Sequence, residues 1–167
     1  MGAETVNLLR PKPPTADGDW LRRESPGPAE YRAVRETLRR LRGRLDGTRI
    51  TVDASLAFLL TDAAPDRLYR AGVWGCCAAR KFVTILQDGA VLPCSHVRRS
   101  DVGDGDFVRA WHESQVFAGF RSLEETVRGR CAGCVHLAVC RGCPAVAMAF
   151  GGDFADGDPH CPKDRGR

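Results

Sequence analysis

The stretch that decides the fold is Cys131-Ala132-Gly133-Cys134-Val135-His136-Leu137-Ala138-Val139-Cys140-Arg141-Gly142-Cys143, which contains four cysteines. The remaining four cysteines of the 167-residue chain are Cys76, Cys77, Cys94 and Cys161. A Cys-x2-Cys loop lets both sulfurs approach one metal centre while nearby backbone amides stay free to donate to them. The pattern therefore predicts that the second half of the chain binds metal through thiolates.

Three kinds of site compete for these cysteines. Disulfides require an oxidising compartment, but the N-terminus Met-Gly-Ala-Glu-Thr-Val has no secretory signal, so we expect a cytoplasmic protein with reduced thiols. Zinc takes four cysteines in a tetrahedral site, and Cys131, Cys134, Cys140 and Cys143 could form one. That site leaves the other four cysteines without a role, whereas eight thiolates supply the ligands of two [4Fe-4S] clusters. Iron–sulfur binding is favoured; a zinc-binding interaction module and a stand-alone iron–sulfur electron carrier remain alternatives.

The part before the cysteines is expected to be a small α/β unit. Residues 5–9 have the composition of a short buried strand, and residues 11–29, with five of the ten prolines, are typical of a loop. An apolar stripe at helical spacing predicts a helix from Ala29 to about Leu45. Residues 50–53 form the next predicted strand, and a short helix follows through Leu60. Strand, helix and strand in this order predict an α/β (α+β) fold.

Arginines cover most of the predicted helix outside its apolar stripe, and the whole chain has a net charge of +4. Nucleic-acid binding would need stacking aromatics or a recognition motif beside the basic stripe, so we interpret this face as solvated and nucleic acid as an unlikely partner. No apolar run approaches the 18 or so residues of a membrane span, so we expect no membrane association.

The second half opens with a predicted hairpin and a predicted helix. Residues 82–86 and 91–92 are rich in strand-forming residues and flank Asp88-Gly89, where glycine allows the positive φ of a tight turn. Residues 107–120 are predicted to form one helix whose aromatic residues belong to the core or cover a cluster. The tail from Gly151 onward has the composition of a loop and contains Cys161.

The order of seven cysteines and one glycine resembles a known family. The sequence contains Cys76-x12-Gly89-x4-Cys94, then Cys131-x2-Cys134-x5-Cys140-x2-Cys143, then Cys161. This arrangement resembles the SPASM domain, the C-terminal extension of many radical SAM enzymes that modify peptides and proteins. Cys76-Cys77-Ala78-Ala79-Arg80 is similar to the family's Cys-x-Ala-Gly-Arg, and residues 88–94 are similar to its Asp-Gly-x-Val-x-Pro-Cys turn. The resemblance covers residues 75–162.

The resemblance implies two interleaved auxiliary [4Fe-4S] clusters. The outer cluster would be held by Cys131, Cys134, Cys140 and Cys161. The inner cluster, nearer the substrate, would be held by Cys76, Cys94 and Cys143. Its fourth position is open in some members and filled by another cysteine in others. Cys77 is the spare thiol here, as an alternative ligand to Cys76 or as a buried free thiol.

The resemblance also divides the chain and implies its partners. Residues 1–72 would be the remnant of a radical SAM partial (β/α) barrel, and residues 73–167 would be the small hairpin-plus-helices iron–sulfur domain. The radical SAM motif Cys-x3-Cys-x2-Cys is absent, so the chain alone should not cleave S-adenosylmethionine. S-adenosylmethionine would bind only in a complete enzyme or with a separate radical SAM catalytic half. The implied partners are a peptide or protein substrate and an electron donor such as flavodoxin or ferredoxin.

Overall fold

The computed structural model of the protein describes residues 3–13, 18–41, 44, 47–102 and 106–163. Helices dominate, and two separate two-stranded sheets accompany them, which confirms the predicted α/β (α+β) class. The predicted end of the long helix at Leu45 lies outside the described residues. No helix in the described ranges is both long enough and apolar enough to cross a bilayer.

The elements follow one another along the chain with short connections. The strands are β1 (Thr5–Leu8), β2 (Arg49–Val52), β3 (Thr84–Ile85) and β4 (Val91–Leu92). The helices of the first half are α1 (Gly18–Glu24), α2 (Pro28–Leu41) and α3 (Pro65–Arg70), with a 3₁₀ helix at Ala54–Leu60. The helices of the second half are α4 (Arg99–Val102), α5 (Phe107–Glu113), α6 (Gln115–Arg121), α7 (Leu123–Thr126), α8 (Leu137–Cys140) and α9 (Pro144–Ala149), with a 3₁₀ turn at Gly129–Cys131.

The first half is a parallel β1–β2 pair with α2 in the connection, the predicted strand–helix–strand order. Thr5 lies opposite Arg49 and Leu8 opposite Val52. The prediction that β1 is buried is wrong: its first three residues are exposed, and only Leu8 packs against the nearby core. The reason is that, in the part of the chain that the structure describes, β1 pairs with β2 alone and the pair forms its own small sheet.

The loop predicted over residues 11–29 contains a helix. Helix α1 occupies Gly18–Glu24, and its Leu21 is fully buried. Pro26 lies beyond the end of α1, and Pro28 begins α2, where a missing N–H donor costs nothing. The burial of one leucine thus outweighs a composition that is typical of turns.

One core lies between the two halves. Tyr31 of α2 meets Phe58 of the 3₁₀ helix edge to face, with ring centroids 5.1 Å apart, and Leu56 and Leu59 are buried beside them. Cys140 and Cys161 pack against this same core. The predicted domain boundary near residue 72 stays a prediction, but the segments on its two sides share buried contacts.

A second core lies within the cysteine-rich half. The hairpin forms as predicted, although β3 and β4 are only two residues long, and Gly89 has the expected positive φ of 85°. The single helix predicted over residues 107–120 is wrong, because the extended backbone of Ser114 separates α5 from α6. This break lets Phe117 and Phe120 enter the core, while Phe107 on α5 stays half exposed.

Candidate metal centre

The four cysteines assigned to the outer cluster line one cavity of about 390 Å³. Cys131 ends a 3₁₀ turn, Cys134 follows in the next turn, Cys140 is the last residue of α8, and Cys161 arrives from the tail. Phe58 from the first half forms part of the wall. The structure therefore places four cysteines, up to thirty positions apart in the sequence, around one cavity.

Local backbone geometry explains how the cavity forms. The Cys134 N–H donates to the Cys131 carbonyl at 3.1 Å, and Gly133 between them has a φ of 70° that few other residues adopt. The Leu137 N–H then donates to the Cys134 carbonyl at 2.9 Å, which leads the chain into α8. The Cys-x2-Cys loop is thus a tight turn with both thiols on the cavity side.

Two consecutive left-handed residues divide the next pair of cysteines between two sites. Arg141, the residue after α8, has a φ of 57°, and Gly142 follows with the same φ. This turn leaves Cys140 on the outer cavity and carries Cys143 into the second core. The side chain of Arg141 stabilises the strained turn by donating to the Cys76 carbonyl at 2.7 Å and to the Phe120 carbonyl.

The three cysteines assigned to the inner cluster meet in the second core. Cys143 is buried there, and Cys76 and Cys94 pack against the same group of residues. Burial raises the pKa of the Cys76 thiol, and the neighbouring Cys94 raises it further. Burial likewise raises the pKa of Cys143 to about 12, with Cys76 among its charged neighbours. Cys76 is therefore the member of this set that lies near both of the others.

Burial also raises the pKa values of thiols in the outer set. Burial raises the pKa of Cys131 to about 11, and Cys161 and Cys134 raise it further. Burial also raises the pKa values of Cys140 and Cys161. Several thiolates around one partly buried cavity repel each other, so a bound cationic centre would make ionisation of the whole set favourable.

Backbone amides point at the cysteine sulfurs. The Asp158 N–H donates to the Cys131 sulfur at 3.4 Å. For three further cysteines, the backbone amide two residues later lowers the pKa of the thiol: Ala78 for Cys76, Gly142 for Cys140 and Lys163 for Cys161. Amide donors to sulfur are a regular feature of iron–sulfur sites, where they tune the reduction potential. The donor set and its surroundings therefore fit an iron–sulfur cluster.

Cys77 lines neither the outer cavity nor the second core. Its thiol donates to the Gly75 carbonyl at 3.3 Å, and it lines a second cavity of about 290 Å³ together with Trp74 and Lys81. The Lys81 ammonium lies 3.8 Å from the centroid of the Trp74 ring, a cation–π contact. Cys76 borders this second cavity as well. The two adjacent cysteines differ because Cys76 also packs against the second core, whereas Cys77 does not.

Several polar residues of the site carried no signal in the sequence. His136 lines the outer cavity and is buried, with Nε2 at 2.9 Å from the Ala63 carbonyl and Nδ1 at 2.9 Å from the Lys163 ammonium. Because a carbonyl only accepts and an ammonium only donates, the ring must carry its proton on Nε2. Arg130 donates to the Cys161 carbonyl at 2.6 Å. These contacts fix the tail against the outer cavity.

The cysteines do not converge as they would around one ion. Over the described ranges, no three His, Cys, Asp or Glu side chains form a group that could hold a single metal ion. A zinc site would need four sulfurs within about 2.3 Å of one point. The four outer cysteines border a cavity of about 390 Å³.

Curated proteins that are similar to this chain include two heme synthases. The AdoMet-dependent heme synthase of Methanosarcina barkeri is 33% identical over 95 residues, which cover 56% of this chain and 27% of that protein. The AdoMet-dependent heme synthase of Oleidesulfovibrio alaskensis is 33% identical over 89 residues, 52% of this chain and 23% of its own length. The matched region thus spans about a quarter of the curated relatives. No family model and no solved structure matches.

This similarity bears on part of the sequence-based interpretation. Both relatives are radical SAM enzymes, which agrees with the predicted relationship to radical SAM iron–sulfur proteins. The similarity does not address the SPASM assignment, the number of clusters or a peptide substrate. Those points stay predictions.

Proposed function

We propose that this chain is the auxiliary-cluster part of a radical SAM enzyme and holds two [4Fe-4S] clusters. The observation that carries the proposal is the outer cavity, where three cysteines of residues 131–140 and Cys161 of the tail border one space and the Asp158 N–H donates to the Cys131 sulfur. Cys131, Cys134, Cys140 and Cys161 would hold the outer cluster, and Cys76, Cys94 and Cys143 the inner one. Bound clusters supply one-electron chemistry, and the protein supplies thiolates, amide donors and a dry surround.

The partners belong to the same proposal. The chain would work with a radical SAM catalytic half that binds S-adenosylmethionine, and with an electron donor such as flavodoxin or ferredoxin. The parallel β1–β2 pair, with α2 between its strands, has the form of one unit of a (β/α) barrel, which supports its interpretation as a barrel remnant. Further strands from the catalytic half would then cover the exposed residues of β1.

Two substrate classes are in question. The SPASM resemblance favours a peptide or protein whose modification the clusters assist by relaying electrons or contacting the substrate. The two relatives favour a role in heme synthesis, because both are AdoMet-dependent heme synthases. Binding of a fluorescent or coloured heme precursor to the cluster-loaded chain, measured beside binding of an unrelated peptide library, separates the two classes.

The first experiment is metal analysis of the full chain after anaerobic reconstitution. Two [4Fe-4S] clusters correspond to about eight irons and eight sulfides per chain, with a broad absorption band that dithionite bleaches. Cys94→Ser and Cys161→Ser should each remove the iron of one cluster. Cys77→Ser is the matched control and should keep full loading, because Cys77 lines neither the outer cavity nor the second core.

The alternatives give different results in the same experiment. One tightly bound zinc without sulfide would identify a zinc-binding interaction module. Full loading with reversible reduction, but without any response to a catalytic half or substrate, would identify a stand-alone electron carrier. Unchanged iron content in both Cys94→Ser and Cys161→Ser would refute the interleaved assignment.

A further inference from the structure

Asp158 is the residue through which the two sets of cysteines are physically connected. Its carboxylate Oδ2 accepts from the Cys143 N–H at 3.0 Å, on the inner side. Its own N–H donates to the Cys131 sulfur at 3.4 Å, on the outer side. Oδ1 accepts from the His160 N–H at 3.0 Å, which fixes the residue before Cys161. One buried side chain and its backbone therefore contact the loops of both sets.

Arg10 holds this carboxylate from the other half of the chain. Its guanidinium donates to Asp158 Oδ2 at 2.5 Å and to Oδ1 at 2.8 Å, a two-pronged ion pair. The Arg10 and Asp158 side chains are 0% and 1% exposed. Arg10 also donates to the Ser55 carbonyl at 3.1 Å and to His160 Nδ1 at 3.1 Å. The pair joins the segment after β1 to the tail that carries Cys161.

A buried ion pair is costly unless its geometry is good and further hydrogen bonds satisfy both partners. Here the carboxylate accepts from two guanidinium nitrogens and two backbone amides, and the guanidinium lies near the faces of the Tyr31 and Phe58 rings. Gly142 approaches so closely that a Cβ there would lie 2.9 Å from the Asp158 Cβ. A carboxylate so well satisfied, and so tightly placed between two ligand loops, specifies their relative position.

We propose that Asp158, held by Arg10, is a positioning residue for both clusters: it sets the placement of Cys131 and Cys143 relative to each other. This inference rests on the proposed function. Neither residue ligates iron in it; both act through the amides and loops that carry the ligands. It follows that removing the Asp158 carboxylate perturbs both clusters together, although the ligand sets share no cysteine.

The test compares Asp158→Asn, Arg10→Lys and the control Glu113→Gln in the full chain. Asp158→Asn keeps the size but replaces one acceptor oxygen by a donor that faces Arg10 and backbone amides. The control removes the charge of an exposed pair, Arg109–Glu113, with both side chains 65% exposed. Cluster signals are recorded by electron paramagnetic resonance after reduction, and they are assigned with Cys94→Ser and Cys161→Ser.

We expect Asp158→Asn to change both cluster signals and to speed iron loss to a chelator by about 10-fold or more, the usual effect of removing an outer hydrogen-bond partner. Glu113→Gln should match the unmodified chain. Arg10→Lys keeps the positive charge but cannot bind both carboxylate oxygens in the same two-pronged way. We therefore expect smaller changes in the cluster signals and a smaller increase in the rate of iron loss. If Asp158→Asn does not fold, Arg10→Lys is the variant that tests the proposal.

The outcomes separate the two proposals. An unmodified chain that takes up no iron and sulfide refutes the proposed function and this inference with it. The inference alone is refuted if the unmodified chain loads both clusters and a folded Asp158→Asn or Arg10→Lys variant leaves the signal of either cluster, and its rate of iron loss to the chelator, unchanged.

Discussion

Gly75 offers the sharpest test of how the two ligand sets are packed. Gly75 is buried directly before Cys76, and its N–H donates to the Val139 carbonyl on α8 at 2.8 Å. A Cβ built on Gly75 would lie 1.7 Å from the Cys140 carbonyl oxygen and 2.9 Å from the Cys140 Cα. Both are backbone atoms that cannot rotate away. Gly75→Ala therefore forces the segment before Cys76 away from α8.

The size of the effect follows from these distances. The Cβ–oxygen separation must grow from 1.7 Å to at least 3.0 Å, and a shift of that size breaks the hydrogen bond from Gly75 to Val139. Overpacking costs about 1–3 kcal/mol, and a buried hydrogen bond left unmade costs about 1–3 kcal/mol. Gly75→Ala should therefore lower the free energy of unfolding by roughly 2–6 kcal/mol.

The assay is urea unfolding of the metal-free chain under reducing conditions, followed by iron analysis after reconstitution. With a denaturant slope of about 1–3 kcal/mol per molar urea, the midpoint should fall by about 1 M or more. Because Cys76 and Cys140 belong to different sets, iron content should fall for both clusters.

Gly27→Ala is the matched control for Gly75→Ala. A Cβ on Gly27 would meet only the end of the flexible Glu30 side chain, at 3.0 Å. We expect this control to change stability by less than about 0.5 kcal/mol. A Gly75→Ala variant with the midpoint and iron content of the Gly27→Ala variant would show that the close approach at Cys140 is not part of the folded protein.

Two further predictions concern residues that hold the first half against the cluster site. Burial alone would raise the pKa of Asp53, but hydrogen bonds from Lys12 and from the Ser55 N–H bring it below its usual value. Asp53→Asn keeps an oxygen that can accept from the Ser55 N–H but removes the ion pair with Lys12, so it should cost about 1 kcal/mol near neutral pH. The difference from the unmodified chain should vanish as pH falls through the lowered pKa of Asp53, and urea midpoints between about pH 2 and pH 7 test this. Phe58→Ala should cost about 3–5 kcal/mol, because Phe58 is 1% exposed and borders the outer cavity, while Phe58→Leu should recover most of that loss in the same assay.

Local patterns in the sequence were sufficient to predict those helices, strands and turns that are determined by residues close together in the sequence. The helix from Ala29 and the strands on either side of it follow from apolar spacing alone, and the Asp88-Gly89 turn follows from the φ that glycine allows. The break at Ser114 did not follow, because the residues on either side are compatible with one continuous helix. Only the burial of Phe117 and Phe120 against a distant core decides it.

The long-range polar contacts were invisible for a different reason. Arg10 and Asp158 are separated by 148 positions, and each stands in a Pro- or Gly-rich segment typical of a solvated loop. Nothing in one sequence indicates that a charged residue in such a segment is buried, since the partner that makes burial possible is set by tertiary structure. Cysteine positions, by contrast, indicate thiolate chemistry directly, and the structure places the four outer cysteines around one cavity and the three inner ones at one core.

The turn at Arg141 and Gly142 has a consequence for electron movement. It places Cys140 and Cys143 on different sites although only two residues separate them. Three peptide units span at most about 11 Å even when fully extended, and this stretch is curled. If each site holds a cluster, the two redox centres are tethered by a short covalent bridge whose length no docking partner can alter. Electron exchange between them would then be a fixed property of this chain, independent of what binds to it.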